Sequence, residues 1–202
     1  MKKYLALCLF LLLVPGLALT VQTSAGRAAA ERAHVVILGT TDMHGRIFPI
    51  DYYTNKYDNV GIAKVATLVK EARKNDPNLL LVDSGDTIQG TPLEYFHNKR
   101  NNAPPDPMML AMSALHYDAM AVGNHEYNFG LKVLEKARSE AKFPWLSANT
   151  YEVGSDRTHY TPYIVKEVEG VRVGVLGLTT PAFPCRKAHQ VGQSRDRLRS
   201  FR

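Results

Sequence analysis

In the stretch Leu79-Leu80-Leu81-Val82-Asp83-Ser84-Gly85-Asp86, an apolar run of four residues is followed by a polar segment that contains a glycine and ends at a carboxylate. Val35 to Leu38 leads in the same way to Asp42-Met43-His44, and Ala119 to Val122 leads to Gly123-Asn124-His125-Glu126. Short apolar runs of this kind are typical of strands covered on both faces, as in a parallel sheet. Polar groups at successive strand ends meet at one edge of such a sheet, where open α/β sheets place their ligands.

The rest of the body alternates strand-like and helix-like segments, which predicts an α/β layered fold. Asp106 is suited to cap a helix whose first residue is Pro107, and core packing accounts for the methionines that follow. The predicted strands are His34–Thr40, Leu79–Val82, Ala119–Val122, Pro144–Ser147 and a hairpin of Tyr163–Glu169 and Val171–Leu178 that turns at Gly170. The predicted helices are Asn59–Lys74, Pro92–Arg100, the helix from Pro107, and Leu131–Ala141.

The three polar blocks carry the groups of a two-metal site. If the chain stays extended beyond its strand, Asp42 and His44 point the same way and can bind one ion. Asp86 is placed to bridge two ions about 3.5–4 Å apart, and Asn124 offers the second ion a neutral oxygen. A water molecule between two such ions becomes a nucleophile near neutral pH, and His125 is placed to protonate the leaving oxygen or stabilise charge.

Each feature also has a plain structural interpretation: a capped turn, a turn at a strand end, or a structural histidine. The three together, about 40 residues apart, instead indicate a site of mixed oxygen and nitrogen ligands, which suits borderline-hard divalent metals. We therefore expect divalent metal ions as cofactors.

The three blocks resemble the first three motifs of the calcineurin-like metallophosphoesterase superfamily. Thr40-Thr41-Asp42-Met43-His44-Gly45, the Gly-Asp-x-x-Gln-Gly block and Gly-Asn-His-Glu are typical of its secreted 5′-nucleotidase branch, which includes the 2′,3′-cyclic-nucleotide 2′-phosphodiesterase/3′-nucleotidase enzymes. The resemblance runs from about His34 to Pro181. It implies a layered sandwich of mixed, largely parallel sheets flanked by helices, and hydrolysis of nucleotide phosphate esters by a metal-bridging hydroxide.

The resemblance also implies roles for single residues. Asp42, His44 and Asp86 would bind the first metal, Asp86 and Asn124 the second, and His125 would be the catalytic histidine. The metals would be Mn, Zn, Fe or Co. Asn128 stands where 5′-nucleotidases have an aspartate that orients this histidine. Two segments look more like the cyclic-phosphodiesterase enzymes of the branch: the run from Asn124 to Gly130, and Asp51-Tyr52-Tyr53. No substrate-binding residues are assigned.

Family members take further metal ligands from a Gly-His block and a Gly-His-x-His block, and these 202 residues contain neither. We therefore expect an incomplete fold in which residues 31–181 form the N-terminal part of the domain. Residues 182–202 would be a basic tail, disordered or frameshifted. Three hypotheses stay open: a truncated and impaired enzyme, an inactive remnant, and a module that binds polyanions through its tail.

The N-terminus has the pattern of a secretory signal peptide over residues 1–30: Lys2 and Lys3, an apolar run from Tyr4 to Leu19, then small residues. The run of 16 residues is shorter than the roughly 20 that cross a membrane. We expect an exported protein, periplasmic, at the cell surface or secreted, without a membrane span after cleavage; an uncleaved anchor is the alternative. Cleavage would leave one cysteine, Cys185, which cannot form an intramolecular disulfide.

The formal net charge of +6 arises at the two ends of the chain. Residues 31–181 hold 16 Lys and Arg against 18 Asp and Glu, so the body is slightly acidic. The body therefore lacks the electrostatic footprint of a nucleic-acid-binding protein, and no specific nucleic-acid partner is expected. A nucleotide or another phosphate ester is the expected substrate.

Overall fold

The computed structural model describes residues 32–180 and 191–193. All the elements lie in one unit, Ala33–Arg202. Its strands are β1 (Ile37–Thr40), β2 (Leu80–Asp83), β3 (Ala119–Ala121), β4 (Trp145–Leu146), β5 (Thr150–Glu152), β6 (Tyr163–Val168), β7 (Val171–Leu176) and β8 (Val191–Gln193). Its helices are α1 (Ile62–Asn75), α2 (Pro92–Lys99), α3 (Pro107–Ala114) and α4 (Leu131–Glu140), with a 3₁₀ turn over His125–Tyr127.

A parallel sheet in the order β1-β2-β3-β4 organises the fold. Thr40 pairs with Asp83, and Asp83 with Met120, so the carboxyl ends of the first three strands lie side by side. The loops that follow these strands therefore leave from one edge of the sheet. This confirms the α/β fold with a parallel sheet and helices that the sequence predicts.

The helices and the hairpin form close to the predicted positions. The carboxylate of Asp106 accepts a hydrogen bond from the N–H of Met109 at 2.9 Å, which caps α3. The hairpin of β6 and β7 turns at Glu169 and Gly170, both with positive φ. α1 begins three residues later than predicted, because Gly61 has a φ of 93° and ends the preceding loop.

The hydrophobic core lies between the parallel sheet and the helices. Leu81 and Met120 from the sheet are fully buried, as are Met108, Met109 and Met112 of α3. Core packing is therefore the role of these methionines, as the sequence predicts.

Two predicted terminal segments fall largely outside the described residues. Residues 1–30, the predicted signal peptide, lie wholly outside them. Of the predicted tail, the structure describes Val191–Gln193, which pairs antiparallel with β5. Among the described helices, none has the length and apolar character required to cross a lipid bilayer.

Candidate metal centre

Three of the predicted metal ligands converge at the carboxyl edge of the parallel sheet. One ligand atom from each of Asp42, His44 and Asp86 lies within 4.8 Å of the others. The Oδ1 of Asp42 is 3.7 Å from the Nε2 of His44. Two carboxylates and an imidazole at this spacing fit a single divalent ion.

All three of these residues adopt the left-handed backbone region, which L-residues with a side chain seldom occupy. Their φ angles are 51° at Asp42, 47° at His44 and 61° at Asp86. The sequence-based expectation of extended geometry from Asp42 to His44 is therefore wrong, although the two side chains do meet. The N–H of His44 donates to the carbonyl of Asp86 at 3.0 Å and so fixes the two loops together. Strained backbone held by surrounding contacts is typical of functional sites.

The ring of His44 is oriented by a backbone carbonyl. Its Nδ1 lies 3.0 Å from the carbonyl oxygen of Gln89, so Nδ1 carries the proton and donates it. The lone pair of Nε2 then faces the carboxylates, which is the arrangement that metal-binding histidines use. A Cβ on Gly90 would lie 2.7 Å from the Cβ of His44, so only glycine allows this approach.

Asp86 is tied to the loop that follows β3. Its Oδ1 accepts a hydrogen bond from the N–H of His125 at 2.8 Å. A Cβ on Gly123 would lie 2.2 Å from that same oxygen. The carboxylate of one loop thus lies directly against the backbone of the next, at the residues on either side of Asn124.

Glu126 is a positioning residue that the sequence analysis did not identify. Its fully buried carboxylate accepts hydrogen bonds from the N–H groups of Asp86 at 2.9 Å, Thr87 at 2.5 Å and Ile88 at 3.4 Å. Burial raises the pKa of Glu126 to about 7, although these backbone donors oppose the shift. A glutamate directly after a candidate catalytic histidine was the available signal.

Asp83 supports the same loop from the end of β2. Its carboxylate accepts hydrogen bonds from the hydroxyl of Thr40 at 2.5 Å and from the N–H of Gly85 at 2.7 Å. Burial raises the pKa of Asp83 to about 6. Asp83 directly follows the predicted strand Leu79–Val82, and no sequence motif assigns it a role.

His125 lies beside the three-residue cluster. The centroid of its ring is 5.3 Å from that of His44, with the ring planes 70° apart. The side-chain nitrogen of Asn128 donates to the Nδ1 of His125 at 2.8 Å. Because Nδ1 accepts this bond, the proton of the neutral ring sits on Nε2, where it is available to a bound group.

Asn124 lies between Gly123 and His125, the two residues whose backbones contact Asp86. It precedes the 3₁₀ turn, and its partly buried side chain makes no capping hydrogen bond there. The carboxamide is therefore not committed to the turn. Its role as a ligand of a second ion stays a prediction.

The chain belongs to the calcineurin-like phosphoesterase family, and the sequence model of that family matches residues 35–177. This family comprises phosphoester hydrolases that use divalent metals. The chain is 36% identical over 182 residues to the 2′,3′-cyclic-nucleotide 2′-phosphodiesterase/3′-nucleotidase of Yersinia enterocolitica, with 84% of this chain and 27% of that protein covered. It is 36% identical over 150 residues to a 5′-nucleotidase of Vibrio cholerae, with 72% and 25% covered.

Among solved structures, the calcineurin-like phosphoesterase YfkN of Bacillus subtilis matches with a TM-score of 0.66 and 35% identity. The match covers 75% of this chain and 50% of that chain. The chain thus spans about a quarter of the length of the two curated relatives above. The family and the fold agree with those that the sequence motifs indicate.

Proposed function

We propose that this chain carries the catalytic centre of an exported nucleotide phosphoesterase that works with two divalent ions. The observation that carries the proposal is the convergence of Asp42, His44 and Asp86, whose ligand atoms lie within 4.8 Å of one another. These residues would hold the first ion, and Asp86 with Asn124 the second. Bound divalent ions supply Lewis acidity and activate water for attack on phosphorus.

The chain's own groups support the protein side of this reaction. With its proton on Nε2, neutral His125 would donate a hydrogen bond to a phosphoryl oxygen and so stabilise the charge that builds there. Asn128 keeps the ring in that tautomer through its bond to Nδ1. Glu126 holds the backbone that presents Asp86.

The proposed substrates are nucleotides, following the printed functions of the relatives: 2′,3′-cyclic nucleotides, 3′-nucleotides and 5′-nucleotides. Asn128 and Asp51-Tyr52-Tyr53 favour the cyclic side through their resemblance to that branch. Within the loop after His44, the hydroxyl of Tyr52 accepts from the N–H of Ile47 at 3.3 Å. Tyr52 therefore stabilises the loop, and specificity for the diester would not come from its hydroxyl.

The proposed location follows from the N-terminal pattern of Lys2, Lys3 and the apolar run to Leu19. We expect the chain to reach the periplasm or the exterior when it is expressed in a Gram-negative host. Cell fractionation and N-terminal sequencing of the product test this. A product found in the cytoplasm with Met1 still attached would contradict it.

The experiment that tests the activity is an assay of phosphate release from 3′-AMP and 2′,3′-cyclic AMP, with Mn, Zn, Fe and Co each supplied at millimolar concentration. The excess of metal ensures that incomplete occupancy does not limit turnover. We expect turnover that EDTA abolishes and that Asp86→Ala lowers at least about 100-fold, while Asp156→Ala, an exposed aspartate in a loop, retains it. Absence of turnover with every metal would contradict the proposal and favour the inactive remnant.

A further inference from the structure

The hydrogen-bond ladder between β3 and β4 stops just before the loop that carries two of the candidate site residues. The N–H of Val122, which follows β3 directly, donates to the carbonyl of Leu146 at 3.0 Å and so continues the parallel pattern. The N–H of Ala148, which would be the next donor of that pattern, donates instead to the carbonyl of Gly177 at 2.8 Å. The fully buried carbonyl of Val122 therefore needs a partner from outside the parallel sheet.

A threonine hydroxyl supplies this partner. The Oγ1 of Thr179 donates to the carbonyl oxygen of Val122 at 2.8 Å, across 57 positions of sequence. Asn149 holds the backbone of Thr179 on both sides: its Oδ1 accepts from the N–H of Thr179 at 2.9 Å, and its Nδ2 donates to the carbonyl at 2.7 Å. The hydroxyl therefore meets the carbonyl of Val122 from a fixed position.

Further hydroxyls continue from Thr179 through the interior. The Oγ of Ser147 lies 2.8 Å from the Oγ1 of Thr179 and 2.7 Å from the Oγ1 of Thr150. Thr150 also shares a side-chain hydrogen bond with Tyr127, whose hydroxyl donates to that of Tyr160 at 3.1 Å. None of these five residues, called the hydroxyl chain below, is more than 4% exposed. A buried network of this kind is rigid because its groups satisfy one another.

The hydroxyl chain contacts the loop that carries Asn124 and His125 at both of its ends. At the start of the loop, Thr179 bonds the carbonyl of Val122, and at its end Tyr127 closes the 3₁₀ turn His125–Tyr127. A carbonyl and the next N–H belong to one planar peptide unit, so the orientation of the Val122 carbonyl sets the direction in which the backbone continues toward Asn124. The hydroxyl of Thr179 thus acts on the candidate site through the backbone.

We propose that Thr179 is a positioning residue for the loop of Asn124 and His125, and that its hydroxyl rather than its bulk has this role. It holds the ring of His125 in its orientation and places Asn124 for the second ion. Only the placement for the second ion rests on the proposed function. Asp42 and His44 are held by hydrogen bonds to the loop after β2, so the first ion should depend on Thr179 much less.

The imidazole signals of His125 in nuclear magnetic resonance spectra of the full chain test this role without requiring metal or turnover. Thr179→Val removes the hydroxyl but keeps the shape of the side chain, and it should shift these signals. Thr179→Ser keeps the hydroxyl and should restore the native positions. Ser113→Ala is the matched control, because Ser113 is a buried residue whose hydroxyl accepts from the N–H of Lys142 at 3.1 Å in another part of the fold.

Manganese titration of the same variants separates the two proposed ions. We expect Thr179→Val to weaken the second ion at least about tenfold, the lower end of what loss of a group that orients a ligand costs. Thr179→Ser should bind both ions as the native chain does. A native chain that binds one ion only would contradict the two-ion proposal, while the signals of His125 would still decide the role of Thr179.

The role of Thr179 as a mere stabiliser of the fold predicts a different result. In that case Thr179→Val and Ser113→Ala would both lower the Tm and leave the signals of His125 unchanged, which would overturn the proposal. Shifted signals that Thr179→Ser does not restore would overturn it as well, because the hydroxyl would then not be the cause. Ser147→Ala removes the next hydroxyl of the chain and should shift the same signals by a smaller amount, so it replaces Thr179→Val if that variant does not fold.

Discussion

Glu126 accepts hydrogen bonds from three consecutive backbone N–H groups, those of Asp86, Thr87 and Ile88. These bonds compensate for the left-handed backbone at Asp86, whose φ is 61°. The residue that follows the candidate catalytic histidine thus determines where a candidate metal ligand sits. At the scale of single residues, the site depends on groups that never touch a substrate.

Glu126→Gln replaces one acceptor oxygen with a donor that faces other donors. We expect it to lower the free energy of unfolding by about 1–3 kcal/mol, because buried N–H groups lose their partner. Metal affinity should fall as well, since Asp86 loses its fixed position. Urea denaturation and manganese binding measure the two effects.

The control for this substitution is Glu71→Gln, at a glutamate whose side chain is 68% exposed. Surface changes of this kind usually alter stability by less than about 0.5 kcal/mol. Equal stability of the Glu126 and Glu71 variants would mean that the buried hydrogen bonds do not stabilise the loop.

A second prediction at the scale of single residues concerns Asn128. Its amide donates to the Nδ1 of His125, so neutral His125 should be the Nε2–H tautomer. Asn128→Asp replaces the donor with an acceptor and should switch the ring to the Nδ1–H tautomer. Nitrogen-15 chemical shifts of the imidazole distinguish the two, and identical shifts in both proteins would contradict the assigned hydrogen bond.

Between elements, the loops after β2 and β3 approach so closely that a side chain at position 123 has no room. A Cβ on Gly123 would lie 2.2 Å from the Oδ1 of Asp86 and 2.5 Å from its backbone nitrogen. Gly123→Ala should therefore displace Asp86 and weaken manganese binding at least about tenfold. Gly174→Ala on β7 meets no atom within 4 Å and should leave binding unchanged.

Equal manganese affinity in Gly123→Ala and Gly174→Ala would show that the two loops can separate without cost. The pair is well matched, because neither glycine has a positive φ and both lie outside the helices.

Helix α2 also determines how stability depends on pH. Burial, and then the neighbouring carboxyl of Asp106, raise the pKa of Glu94 to about 9, well above its usual value near 4.5. Glu94 Oε1 and Asp106 Oδ2 are buried without another hydrogen-bond partner among the described residues, and a single proton held between these two neighbouring carboxyls would satisfy both. His97, Lys136 and Glu140 are the other ionisable groups around Asp106.

Because the folded-state pKa is raised, the contribution of Glu94 is fully present below pH 4.5 and is lost as the pH rises toward 9. The pKa values of Asp83, Asp106 and Glu126 are also raised, but only to about 6, 6 and 7. The interval from pH 7.5 to 9 therefore reports on Glu94. The native Tm should fall there, and Glu94→Gln should reduce that fall by about 2–4 °C for each kcal/mol involved. An equal fall in both proteins would contradict the shared proton.

The helices, strands and loops show which structural features can be predicted from the sequence alone. The apolar run from Leu79 and the cap at Asp106 predicted β2 and α3 because each depends on local patterning. The left-handed backbone at Asp42 and His44 was not predictable, since contacts with residues 85–90, distant in sequence, impose it. The roles of Glu126 and Asp83 were missed for a similar reason: the backbone partners of Glu126, and Thr40 beside Asp83, are distant from them in sequence.

For the molecule as a whole, one sheet edge brings together groups from residues 42 to 126. Strand register fixes this convergence, and the motif order along the chain matches the order of the first three strands in the sheet. The matched family and the solved relative agree with it. The central claim is therefore that this edge binds a divalent metal ion.

Manganese binding to the full chain, followed by electron paramagnetic resonance, tests that claim most directly. We predict saturable binding that His44→Ala weakens at least about tenfold, because the imidazole supplies one ligand. His116→Ala is the matched control, since His116 is an exposed histidine that also has a positive φ, of 55°. Absence of saturable binding, or equal binding by His44→Ala and His116→Ala, would contradict the account.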